Sequence, residues 1–88
     1  MKDETVLEHT AHFRGPERLE YTLSLGERDG RDSYTIRAVQ YKRGLEICSA
    51  SAPDVSSVYE NAKEMYDVIS DGRVEPYLLC DVVCDLMP

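Results

Sequence analysis

The C-terminal segment, residues 76–87, constrains the fold more than any other part of the sequence. Read as a helix, it is apolar around almost its whole circumference and carries its charges on one narrow stripe, Asp81 and Asp85. One apolar side is sufficient to pack on a sheet and consists of Leu79, Val82, Val83 and Leu86. A helix of this kind must be covered on several sides. This helix is therefore either the centre of a small core, or part of its surface binds a partner.

A second apolar flank of the same segment supplies the candidate binding residues. Two interpretations stay open: the preceding helix covers this flank, or the flank is exposed and serves dimerisation or docking. In a two-fold dimer, Asp81 and Asp85 at the edge of this flank would repel their copies, or they would pair with Arg73 or with a basic partner. The residues predicted to contact a partner are Tyr77, Cys80, Asp81, Cys84, Asp85 and Met87.

The length and the pattern of residues 19–50 predict one domain, residues 1–88, built on an antiparallel meander. A chain of 88 residues holds a single core of modest size. Apolar and polar residues alternate in the first strand of this region, so one face is buried and the other is wet. A three-residue turn, Lys42-Arg43-Gly44, leads into the next strand. Keeping the large apolar residues inside then requires a β-bulge near Ala38.

The segments on either side of the meander complete the predicted fold. Residues 1–18 form a fourth, edge strand or a flexible segment. Residues 51–88 form two helices, the first capped by Ser51 or Asp54 and ended by Gly72 in a left-handed conformation. Its apolar arc is Val55, Val58, Tyr59, Ala62, Met65, Tyr66 and Ile69. The fold class is α+β: an antiparallel meander of three, possibly four strands with both helices packed on one face.

The charge of the chain is concentrated in its C-terminal part. The net charge is −7, and residues 51–88 hold eight acids against two bases, which gives −6. Such a surface repels phosphates, so we predict no nucleic-acid partner. The acidity serves solubility, or it forms a face for a basic partner. The alternative is a stacking surface for single-stranded nucleic acid, built from Tyr34, Arg37, Tyr41, Lys42 and Arg43.

The cysteines do not indicate a disulfide framework. Three cysteines are an odd number, no apolar run follows Met1, and no stretch approaches the ~18 apolar residues of a membrane span. We therefore expect a cytoplasmic protein without a membrane partner. Cys80 and Cys84, four residues apart, could share a metal, but a closed zinc site needs four ligands. Packing is the preferred interpretation, and no metal or cofactor is predicted.

No motif of a catalytic site is present. The two histidines, His9 and His12, would face opposite sides of a strand. The sequence contains no nucleophile elbow, phosphate-binding loop or metalloprotease motif. Asp81 and Asp85 could act as paired carboxylates only if burial separated their pKa values. We therefore expect that the protein is not an enzyme.

The final helix also carries a family resemblance. Residues 76–85 read Pro-Tyr-Leu-Leu-Cys-Asp-Val-Val-Cys-Asp. This segment resembles the terminal Pro-x-x-Leu-x-Asp-Val-x-x-Asp helix of a family of small bacterial proteins of unknown function, common in gut Firmicutes. The resemblance covers residues 19–86 and implies a bacterial, cytoplasmic protein with the same order of elements. It implies no activity.

These observations favour a non-catalytic protein-interaction or regulatory module. Its partner would be another protein or a second copy of the chain in a homodimer. The alternative is a small enzyme or ligand-binding domain whose site forms only across a dimer. A flat apolar patch would favour the module, and a pocket lined by histidines and acids at a two-fold axis would favour the alternative.

Overall fold

A computed structural model describes residues 4–87 of the chain. Four antiparallel strands pair in chain order, which confirms the α+β class and the four-stranded form of the predicted meander. The strands are β1 (Thr5–Arg14), β2 (Glu17–Arg28), β3 (Arg31–Lys42) and β4 (Leu45–Ser56). Residues 1–3 and residue 88, which belong to the predicted N-terminal and helical segments, lie outside the described residues.

Two-residue turns join the strands and set their register. Both residues of two of these turns have positive φ angles. In the first, φ is 53° for Asp29 and 76° for Gly30, and in the second it is 54° for Arg43 and 83° for Gly44. Two successive left-handed residues form the turn whose twist matches that of the flanking strands. The second turn pairs Lys42 with Leu45. The predicted three-residue turn over 42–44 is therefore wrong.

The sheet contains bulges, but not where the sequence predicted one. The register of β3 against β4 shifts between Gln40, which faces Cys48, and Tyr41, which faces Glu46. The extra residue is Ile47 of β4, so the prediction of a bulge near Ala38 is wrong. The premise of the prediction fails, because Leu45 and Ile47 are 71% and 54% exposed and do not lie inside.

Two helices cover one face of the sheet, as predicted. They are α1 (Tyr59–Asp71) and α2 (Leu79–Leu86), and a 3-10 turn, Pro76–Leu78, leads into α2. Pro76 opens this turn, where its missing N–H costs nothing. The core joins the sheet to both helices and includes Tyr21, Leu23, Ile36, Ala38, Ala62, Met65, Tyr66, Ile69, Leu79 and Val83.

The predicted start of α1 is wrong. Residues 51–56 continue β4 instead, and Ala52 and Val55 enter the core from the strand. Asp54 adopts a φ of 53° and accepts a hydrogen bond of 2.9 Å from the Ser33 hydroxyl. Short polar side chains such as Asp and Ser are typical of helix caps, where their oxygen accepts a nearby hydrogen bond. The same side chains are typical of irregular strand positions for the same reason.

The end of α1 also differs from the prediction. Gly72 has a φ of −78°, and Arg73 is the left-handed residue, with a φ of 52°. The amides of Arg73 and Val74 donate to the carbonyls of Ser70 and Ile69, both at 3.2 Å. This pair of bonds is the Schellman arrangement, in which the left-handed position is most often glycine. Gly72 therefore lies one residue before the left-handed position, at which glycine would be favoured.

Candidate interaction surface

The side of strand β1 that faces the helices is polar. Glu8, Thr10 and His12 face the same side as Leu23, Tyr21 and Leu19 of β2. By contrast, Phe13 lies on the open face and is 72% exposed. His9 is also on the open face, 2.9 Å from Glu20, so the two histidines face opposite sides as predicted.

Each of these polar side chains contacts α1. The His12 ring donates from Nε2 to the Ser70 carbonyl at 2.8 Å, which gives this carbonyl at the helix end a second donor beside the Arg73 amide. The Tyr66 hydroxyl lies 2.7 Å from Thr10 Oγ1 and 3.1 Å from the Tyr21 carbonyl. Since a carbonyl can only accept, Tyr66 donates to Tyr21 and accepts from Thr10. These hydrogen bonds tie α1 to β1 and to β2.

The tyrosines of this network have a structural role. Burial, together with the charge of Glu75, raises the pKa of Tyr21 to about 12. Burial also raises the pKa of Tyr66, and the Thr10 hydrogen bond opposes this effect. Tyr21 therefore remains protonated and donates to the Val74 carbonyl at 2.7 Å, which fixes the chain just before the final helix. This network was not predicted from the sequence, although polar residues on one side of β1, Thr10 opposite Tyr21 and His12 opposite Leu19, were a signal for it.

The final helix packs on the sheet through the predicted apolar side. Leu79 and Val83 are buried, and Val82 and Leu86 pack at the edge of the core. Helix α1 contacts α2 without covering its second flank, whose side chains are all exposed. Of the two interpretations for the second flank, the structure therefore supports exposure.

All six predicted contact residues are exposed and lie on the segment 76–87. Tyr77 is 68% exposed and Met87 is 44% exposed. Cys80 and Cys84 are exposed free thiols, and the Cys80 sulfur lies 3.9 Å from the Ser51 carbonyl at the edge of β4. Asp81 and Asp85 are exposed as well. We call the four non-acidic residues, Tyr77, Cys80, Cys84 and Met87, the α2 flank.

The alternative sites weighed from the sequence are dispersed in the structure. Among residues 4–87, no group of three or more His, Cys, Asp or Glu side chains could hold a metal ion. His12 is engaged with the Ser70 carbonyl, away from the exposed Cys80. The residues of the predicted stacking surface also lie on both faces of the sheet. Tyr34 is buried under the helices. Tyr41 lies on the open face, where the Arg18 Cζ atom is 4.2 Å from the centre of its ring.

The described part of the chain contains no helix that is long and apolar enough to cross a membrane.

Comparison with known proteins identifies a family but no function. The model of a family of unknown function, DUF6514, matches residues 2–88. No curated protein matches the sequence, and no solved structure matches the fold. Because the match spans nearly the whole chain, the chain belongs to this family.

Proposed function

We propose that this member of a family of unknown function is a non-catalytic protein-interaction module that acts in the cytoplasm. The observation that carries the proposal is the exposure of the α2 flank. Four neighbouring non-charged side chains lie in solvent on a short helix, although the same helix has a buried apolar side. Exposed large apolar residues of this kind, bordered by acids, are typical of contact sites between proteins.

Tyr77 is the residue expected to contribute most to binding. It is 68% exposed at the start of the final helical segment, and a tyrosine supplies a large rigid contact area with a polar tip. The partner is another protein or a second copy of the chain. A second copy would bring Asp81 and Asp85 towards their own equivalents, so self-association would be weak at low salt and stronger when salt screens the charges.

The experiment compares the wild-type protein with Tyr77→Asp and with Phe13→Asp. Phe13 is a matched control, because it is also an exposed aromatic residue but lies on β1 at the opposite edge of the sheet. Sedimentation equilibrium at several protein and salt concentrations measures self-association, and affinity purification from the native cell measures a foreign partner. Tyr77→Asp should abolish the interaction without changing the unfolding transition, and Phe13→Asp should leave it intact.

Equal behaviour of the wild type and Tyr77→Asp in both measurements would contradict the proposal. A dimer that depends on His9 or His12 and binds a small molecule would support the alternative, a ligand-binding or catalytic site formed across two copies.

A further inference from the structure

A groove separates α1 from α2 on the side of the helices that faces away from the sheet. It has a volume of about 390 Å³ and is lined by Asn61, Glu64, Met65 and Val68 of α1 and by Leu86 of α2. Its floor is apolar, and Val68 is 48% exposed although it lies in the middle of a helix. We call these five residues the helix groove.

The helix groove and the α2 flank are separate surfaces. Successive residues of an α-helix are rotated by about 100°, so residues two apart project in roughly opposite directions. Leu86 lines the groove, and Cys84 therefore projects from the other side of α2. The exposed Asp81 and Asp85 lie between the two surfaces.

Both walls of the groove are acidic, and no neighbouring cation balances them in the described residues. Glu60, Glu64 and Asp71 are exposed on α1, and Asp81 and Asp85 are exposed on α2. The one lysine of the helices is directed away from the groove. The Lys63 amine lies 2.5 Å from Asp67 and 3.9 Å from Glu8 of β1.

Arg73 is the other cation of this half, and it lies elsewhere as well. It follows α1 and borders a small depression at the end of the sheet, together with His12 and Glu17. The groove is therefore an apolar strip between two rows of carboxylates.

We propose that the helix groove binds a cationic amphipathic helix of a partner protein. The apolar floor would take its apolar side chains, and Lys or Arg residues on both sides of that stripe would pair with the acidic walls. A second copy of this chain would bring the same acids to the walls. Nucleic acids and anionic membranes would be repelled for the same reason. This inference goes beyond the proposed function, because it concerns a second surface.

The dimensions of the helices limit the length of the bound segment. The 13 residues of α1 span about 20 Å and the eight residues of α2 about 12 Å. The groove therefore holds about two to three turns of a helix, with apolar anchors at positions i, i+3 or i+4, and i+7.

The test uses a fluorescein-labelled 12-residue peptide of Leu and Lys, with its leucines on one helical face, and measures fluorescence anisotropy. A peptide of the same composition with its leucines distributed around the helix controls for charge alone. A Leu and Glu peptide with the amphipathic pattern controls for apolar character alone. The wild-type protein should bind the first peptide at least tenfold more tightly than either control, and its affinity should fall as NaCl is raised from 50 to 300 mM.

Two variants assign the binding to the groove. Val68→Lys and Glu64→Lys should each weaken binding at least fivefold, whereas Tyr77→Asp, on the α2 flank, should change it less than twofold. Because Val68 and Glu64 are exposed, both variants should keep the unfolding transition of the wild type. Backbone NMR shifts caused by the peptide should be largest at Met65, Val68 and Leu86.

The proposal is overturned if the rearranged peptide or the Leu and Glu peptide binds as well as the first peptide. It is also overturned if Val68→Lys binds normally, or if the shifts concentrate at Tyr77 and Cys84. A concentration-dependent mass that Val68→Lys abolishes would assign the groove to a second copy and would overturn the proposal too. None of these results affects the α2 flank, which the Tyr77→Asp comparison tests separately.

Discussion

The contact between Tyr66 and strand β1 can be tested by removing one oxygen atom. Tyr66 is 1% exposed, and its hydroxyl joins the Tyr21 carbonyl to Thr10 Oγ1. Tyr66→Phe removes two hydrogen bonds from this buried side chain. A hydrogen bond contributes about 0.5–1.5 kcal/mol net, and Thr10 at the edge strand can recover part of its loss through water. We expect a decrease of about 2 kcal/mol in the free energy of unfolding.

Urea unfolding followed by circular dichroism measures this change. Small domains lose about 1–3 kcal/mol of stability per molar urea, so the midpoint should fall by about 0.7–2 M while the slope stays constant. Tyr77→Phe is the matched control, because that side chain is 68% exposed and its change should stay within about 0.5 kcal/mol.

A double-mutant cycle of Tyr66→Phe with Thr10→Val should give a coupling of at least about 0.5 kcal/mol, since the two hydroxyls are in contact. Equal effects of Tyr66→Phe and Tyr77→Phe, or no coupling with Thr10→Val, would refute the view that polar contacts position α1.

Two further changes test the end of α1 and the buried tyrosine. Arg73→Gly should stabilise the domain by about 0.5–1 kcal/mol, measured as a higher melting temperature, because glycine adopts the left-handed conformation of Arg73 without strain; a lower melting temperature would contradict this account. The pKa of Tyr21 rises from 10.0 to about 12 on folding, so the folded protein holds this proton more tightly than the unfolded chain does. Stability from this group is therefore complete below pH 10 and is lost as the pH rises towards 12; Tyr21→Phe should reduce the slope of stability against pH in that window, and an unchanged slope would contradict the assignment.

The parts of the fold that could be predicted from the sequence are those in which apolar residues follow a regular period. Ala62, Met65, Tyr66 and Ile69 recur at helical spacing, and all four are buried on α1. The side of β1 that faces the helices has no such signal, because Thr10 and His12 are polar. They occupy that side because the Tyr66 hydroxyl and the Ser70 carbonyl supply their partners, and these lie 56 and 58 residues away.

The boundary between β4 and α1 could not be predicted for a related reason. The sequence Ser51-Ala-Pro-Asp54 has the composition of a helix start, but here it forms an irregular part of a strand. The decisive partner is Ser33, which donates to Asp54 from the neighbouring strand β3. Local propensity is a weak guide where a hydrogen bond from a distant residue satisfies the same side chain.

The exposure of the α2 flank could be predicted only as one of two alternatives. The periodicity of residues 76–87 shows that a second apolar side exists, but not which element covers it. That outcome depends on how α1 and α2 are arranged on the sheet, and this arrangement involves contacts between residues far apart in the sequence, such as those of Thr10 and His12 with α1. The helix groove could not be predicted from the sequence, because Val68 lies among charged residues and a single apolar side chain on a helix surface is ordinary.

The final helix has fewer buried residues than α1 and carries residues of both proposed surfaces. Among its eight residues only Leu79 and Val83 are buried, whereas α1 buries five. Burying a further 100 Å² of apolar surface on α2 would contribute about 2.5 kcal/mol, as much as fully burying one of its leucines. A partner on the α2 flank or in the helix groove would therefore stabilise α2 by a free energy comparable with that from the burial of Leu79 or Val83. Elements with few buried contacts open most readily, so a partner bound at either proposed surface would also stabilise this helix.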